Sequence, residues 1–185
     1  MKRNLKRPGC WLSAMGLLIF ASGLVLLLPP AREAVRLTFA RPPAHLTVPV
    51  RGVPAAALRD EWRDSPGTIL GGWREILAGG RRHHSVDIQA EIGTPVVAPA
   101  HGVVLSVGSW IVRLLGPGGQ VHTFAHIHPR SSLHVGLVVE PGDVLGDLSN
   151  TRTPRGVPTF LRYGVYAPPG VPVDPVPLLL DSHSK

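Results

Sequence analysis

The rhythm of hydrophobic positions changes twice along the chain. From Trp11 to Leu28 the run WLSAMGLLIFASGLVLLL carries no charge. At a helical rise of 1.5 Å per residue it spans roughly 27 Å, close to the hydrocarbon thickness of a bilayer. Pro29 and Pro30 end it. Between 29 and about 45, Pro, Arg and Ala mix with scattered apolar residues, which predicts a linker with one short helical piece. LTVPV (46–50) is strand-like, and AAALRDEW (55–62) places Leu58 and Trp62 on one helical face. GGWREILAGG (71–80), framed by glycines, fits no element. From Ser85 onward, strand-length apolar runs take over: SVDIQA, TPVVAP, GVVLSVG, WIVRLLG, QVHTFAHI, GLVVE, DVLGDL and LRYGVYA, broken by Gly, Pro and Asn. Short strands at this spacing predict a mainly β domain, an antiparallel sandwich or barrel-like sheet.

Charge orients this arrangement. Lys2, Arg3, Lys6 and Arg7 precede the uncharged run, and basic flanks stay in the cytoplasm. Residues 1–10 are therefore expected as a cytoplasmic tail and 11–28 as a single transmembrane anchor. Residues 29–45 then form a linker, and 46–185 the exported β domain. A cleavable signal peptide is the alternative, with Ala21 and Gly23 as its small residues. The apolar run continues past them without a clean cleavage site. The one cysteine, Cys10, excludes an intramolecular disulfide and a cysteine-based zinc site.

The net charge of +7 comes mostly from arginine. It suits an anionic partner, and a coding bias toward Arg, Ala and Pro explains it equally well. Nucleic acid is not expected. No basic run is interleaved with aromatics, which make up 5% of the chain, and the domain is exported. Phosphate-binding glycine loops and a G-x-S-x-G elbow are absent from the sequence.

Candidate chemistry lies at the start of the β region. RRHHSVDIQ sets His83 and Asp87 four positions apart, a spacing that can present two metal ligands. VHTFAHIHP puts His122, His126 and His128 on alternate positions, one face of a strand.

Taken in order, GVPAAALRDEW, RRHHSVDI, GTPVVAPAHGVVLSVG, HTFAHI, VEPGDVLGDLSNT and VPVDPVPLL resemble the lysostaphin/LytM-type zinc endopeptidases. These enzymes cut peptide cross-links in bacterial peptidoglycan. The resemblance covers about 46–178 and implies their duplicated hybrid motif fold. With the anchor expected at 11–28, the domain would work on the outer side of a bacterial inner membrane. Residue by residue, the family's H-x-G-x-D falls on His83 and Asp87 as zinc ligands, with Ser85 for the glycine. Its Y-x-H-L falls on FAHI, so His126 takes the position that polarises substrate or metal-bound water. Phe124 replaces the tyrosine. Its H-x-H falls on FLRYG, which puts Phe160 at the base position and Arg162 at the third zinc-ligand position. A one-residue slip offers Thr159 and Leu161 instead.

That departure weighs against catalysis. A catalytic zinc takes about three protein ligands and one water. Two ligands on one strand hold zinc weakly, and a guanidinium has no lone pair to give. An Arg162–Asp87 pair in the metal's place is the coherent alternative. His122 or His128 could supply a substitute ligand, but both read first as edge or surface residues. His84 should point away from His83, and His101, His134 and His183 read as exposed loop histidines. Gly93, Thr94, Gly102, Gly142, Asp143, Gly146 and the Asp174–Pro175 pair read as structural.

The sequence thus points to a membrane-anchored LytM-type domain that binds peptidoglycan or regulates cell-wall hydrolases without cleaving. The alternative is an active zinc metalloendopeptidase with a rearranged ligand set.

Overall fold

The computed structural model describes residues 28–58, 85–150 and 158–180. The basic tail, the apolar run except Leu28, GGWREILAGG, His83, His84 and His183 lie outside them. Among the described residues no helix is long and apolar enough to cross a membrane.

The first element is helix α1, Pro29–Phe39. Its two leading prolines occupy the first turn, where missing N–H groups leave no helical bond unmade. The expected short helical piece is thus three turns long. Leu37 on its inner side is fully buried. The helix packs on the sheet and on a 3-10 turn at Pro117–Gly119.

LTVPV forms no regular strand. It runs beside the small sheet through single bonds, Thr47 N–H to Pro99 O and Val97 N–H to Pro49 O, and one bridge, Val50 to Val96. AAA at 55–57 is one 3-10 turn, shorter than the helix its spacing predicts, and Trp62 lies beyond the described residues.

The β region matches its pattern. The strands are β1 Val86–Gln89, β2 Pro95–Val97, β3 Gly102–Val107, β4 Ile111–Leu115, β5 Val121–Ala125, β6 Ile127–Pro129, β7 Val138–Val139, β8 Val144–Leu148, β9 Phe160–Ala167 and β10 Val171–Val173. A large antiparallel sheet runs β1-β9-β5-β4-β3-β7, with β10 also on β9, and a small one runs β2-β8-β6. Helix α2, Val176–Leu180, closes the described chain.

The core lies on one face of the large sheet. Val86, Ile88, Leu161, Tyr163, Val165, Phe124, Val112, Leu114 and Val104 project there, and Val96, Ile127, Leu145 and Leu148 of the small sheet join them. Each such aliphatic side chain contributes about 1.5–3 kcal/mol of transfer free energy. Two glycines shape the small sheet. Gly142 takes φ +89 in the turn Glu140–Asp143, closed by the Asp143 N–H to Glu140 O bond. Gly146 sits in β8 so close to the His128 carbonyl that a Cβ there would collide with backbone.

Candidate functional site

Register decides which side chains can meet. Residues directly opposite in an antiparallel pair share a face, and neighbours along a strand alternate. Asp87 lies opposite Arg162, Arg162 opposite Ala125, and Ala125 opposite Ile111. These four make one row across β1, β9, β5 and β4. The adjacent row, Val86, Tyr163, Phe124 and Val112, points the other way, into the core.

In the first row Arg162 grips Asp87 with two parallel bonds. Nε donates to Oδ1 and Nη2 donates to Oδ2, each at 2.8 Å. The side chains are 23% and 17% exposed, so the pair is shielded without being sealed. A bidentate fork in such surroundings is stronger and more directional than a surface ion pair. The guanidinium carbon stands 5.2 Å from the centroid of Phe160, two residues earlier on the same face of β9.

His126 completes the group. The chain leaves β5 after Ala125 and enters β6 of the other sheet at Ile127, and His126 is the corner. It turns with φ +66, the left-handed region that L residues rarely adopt. Ser149 N–H donates to its carbonyl at 2.7 Å and fixes the corner. Its ring lies 4.8 Å from Phe160 and 6.2 Å from Trp110, centroid to centroid. Trp110, His126, Phe160 and the Arg162 guanidinium therefore form a continuous wall of planar groups. Burial lowers the His126 pKa, and the Arg162 charge lowers it further against a small opposing pull from Asp87. Its imidazole is neutral at pH 7.

The other histidines separate clearly. His122 lies on the core face of β5, opposite Leu114 and Val165, and is 1% exposed. Its Nδ1 is 2.7 Å from the Tyr163 hydroxyl. The edge or surface position expected of it is therefore wrong. So is its use as a substitute ligand, because it faces away from Asp87. Alternation puts His122, His126 and His128 on one face, but the left-handed corner at His126 breaks the strand, so His126 and His128 do not share His122's face. His128 is exposed in the small sheet, opposite Asp147. His134 is exposed as expected.

His101 is not the exposed loop residue expected. Its Nε2 lies 2.6 Å from Glu33 of α1 and its Nδ1 2.8 Å from Glu140. Burial alone would lower its pKa, but the bonds and charges of the two carboxylates outweigh that and raise it. Glu33 is drawn down to about 2 by its bonds to Arg36 and His101. This clamp and the Trp110 ring went unread in the sequence, since their partners are distant in the chain and no spacing announces them.

A zinc ion needs lone pairs converging on one point. His83 lies outside the described residues. Both Asp87 oxygens are engaged by Arg162, while Arg162 and Phe160 offer no lone pair at the two positions beside it. Among the described residues no three His, Cys, Asp or Glu side chains converge on a metal position. The described donors do not fit a bound zinc.

Comparison with known proteins agrees on the fold. The model of peptidase family M23 matches residues 81–175. The L-Ala--D-Glu endopeptidase of Bacillus subtilis (strain 168) is 35% identical over 100 residues, 48% of this chain and 31% of that protein. The chain thus spans about a third of that relative's length. A putative glycyl-glycine endopeptidase lytM from Ruminococcus gnavus superposes with a TM-score of 0.52 at 24% identity, covering 80% of this chain and 63% of that one. The solution structure of lysostaphin, a Staphylococcus simulans peptidase, gives 0.52 at 22% identity over 70% and 53% of the two chains. At these identities the structures establish the shared fold.

Proposed function

The chain belongs to peptidase family M23, and from that premise we propose that it is a non-catalytic cell-envelope domain that binds peptidoglycan or regulates the hydrolases that cut it. One observation carries the reading. Where the family resemblance puts a third zinc ligand, Arg162 closes a two-point bond on Asp87, itself a ligand position. A guanidinium there repels a cation and occupies the carboxylate that would hold it. No metal-bound nucleophile follows from this donor set.

The alternative, an active endopeptidase with rearranged ligands, needs a replacement donor near Asp87. His122 faces the core and His128 lies on the other sheet, exposed. Neither supports it. The strands, the His126 corner and the rings of Phe160 and Trp110 beside it support a binding surface at this place. The excess of basic residues favours the anionic wall polymers. The uncharged run 11–28 behind a basic tail supports an anchor in the inner membrane, with the domain on the outer side.

The test uses the full-length chain, solubilised in detergent and mixed with purified peptidoglycan sacculi. It should co-sediment with them and release no soluble peptide fragment. Fragment release by the wild type that is lost in His83→Ala overturns the non-catalytic reading.

A further inference from the structure

We propose that Arg162 is a carboxylate-reading residue, binding the free carboxylate of a short wall peptide with the edge of its guanidinium that Asp87 does not use. The proposal rests on the reading of this groove as a peptidoglycan-binding surface. It adds which residue reads the ligand and which ligand group is read.

The geometry of the fork points to it. A guanidinium carries five N–H donors in one plane. Asp87 takes the Nε hydrogen and one Nη2 hydrogen along the side of the fork. The end of the fork, one hydrogen on each of Nη1 and Nη2, keeps the spacing that matches a second carboxylate. The Arg162 side chain is 23% exposed, so solvent and ligand can reach it. Ala125 is its neighbour on β5, and a methyl group puts little bulk beside the guanidinium.

The surroundings hold that edge in place. Asp87 fixes the fork from one side and the Phe160 ring lies 5.2 Å from the guanidinium carbon, so little side-chain entropy is lost when a ligand binds. Phe160 and Trp110, both partly exposed, flank the buried His126 ring in a chain of tilted ring contacts that leads away from the guanidinium. A peptide can lay its aliphatic side chains there while its carboxylate meets Arg162. A monoanion fits better than a phosphate dianion. Asp87 already shares the charge of Arg162, which leaves one two-point fork and less than a full positive charge.

The experiment titrates the detergent-solubilised full-length chain with N-acetyl-D-alanyl-D-alanine and with its C-terminal amide. The wild type should favour the carboxylate by about tenfold, the worth of one charge-assisted pair. Arg162→Lys keeps the charge and loses the fork, so most of the preference should go. Arg162→Gln should abolish it. Equal affinity for the two dipeptides in the wild type overturns the proposal without any variant. A preference that survives in both variants also overturns it and leaves Arg162 as a purely structural partner of Asp87. Sacculus co-sedimentation separates this from the wider reading. Sacculi bound without carboxylate preference sink this assignment alone. A preference without sacculus binding sinks the wall-binding reading and leaves the carboxylate site standing.

Discussion

His122 gives the sharpest energetic test of the fold. Its ring is 1% exposed on the core face of β5. Nδ1 meets the Tyr163 hydroxyl at 2.7 Å, while Nε2 is buried without a hydrogen-bond partner. A protonated ring there has a neutral phenol beside it and no counter-charge. Burial accordingly pushes the pKa from 6.5 down to about 4. The unfolded chain takes up this proton near pH 6.5, the native chain only near pH 4. Between those values the unfolded state binds more protons, so stability falls as the pH falls. The contribution is intact above about pH 6.5, lost progressively toward pH 4, and flat below it. At about 1.4 kcal/mol per pH unit the loss is on the order of 3 kcal/mol, a large share of a typical domain's 5–15. Urea unfolding of the wild type and of His122→Gln across this range measures it, since subtraction removes every other titrating group. The wild type should lose about 3 kcal/mol relative to the variant between pH 7.5 and 4. A difference that does not change with pH, or a His122 ring that titrates near 6.5 in the native protein by NMR, would mean that the ring is not held uncharged in the core.

Two further outcomes follow from the ion pairs. Asp87→Ala strands the Arg162 guanidinium and should cost about 1–3 kcal/mol, less than a fully buried pair because both side chains keep some solvent. Asp87→Leu with Arg162→Met should recover most of it in the same urea assay. A double variant as unstable as the single one contradicts this origin of the loss. The His101 clamp acts in the opposite direction of pH. Its raised pKa means its contribution is complete below the unfolded value of about 6.5 and is lost as pH rises through the native one. Corrected for intrinsic exchange, amide protection in α1 should weaken several-fold from pH 6 to pH 8.5 in the wild type. In His101→Gln protection should be lower and no longer follow pH, and an unchanged profile there would remove the clamp.

Much of this was legible in the sequence, for identifiable reasons. Strands such as Ile111–Leu115 and Phe160–Ala167 announce themselves because one face must be apolar and the other need not be. The Arg162–Asp87 pair could be expected because two opposite charges at ligand positions have no better partner. Val171–Val173 was missed, since Pro172 within a three-residue run hides an edge strand. His122 was misjudged because a histidine's surroundings come from the opposite strand, here Tyr163, 41 positions away. The left-handed corner at His126 has no glycine to mark it, so one run, QVHTFAHI, became two strands in two sheets. The burial of Leu37 on the inner side of α1 is not legible in a stretch that mixes Pro, Arg and Ala.

With Arg162 closed on Asp87, the full-length chain should not hold zinc. Zinc content of the full-length chain, purified without chelator and measured by mass spectrometry, tests it most directly. The wild type should carry well under one zinc per chain. A marked gain should follow when Phe160→His and Arg162→His are introduced together. Stoichiometric zinc in the wild type, lost on His83→Ala, contradicts it.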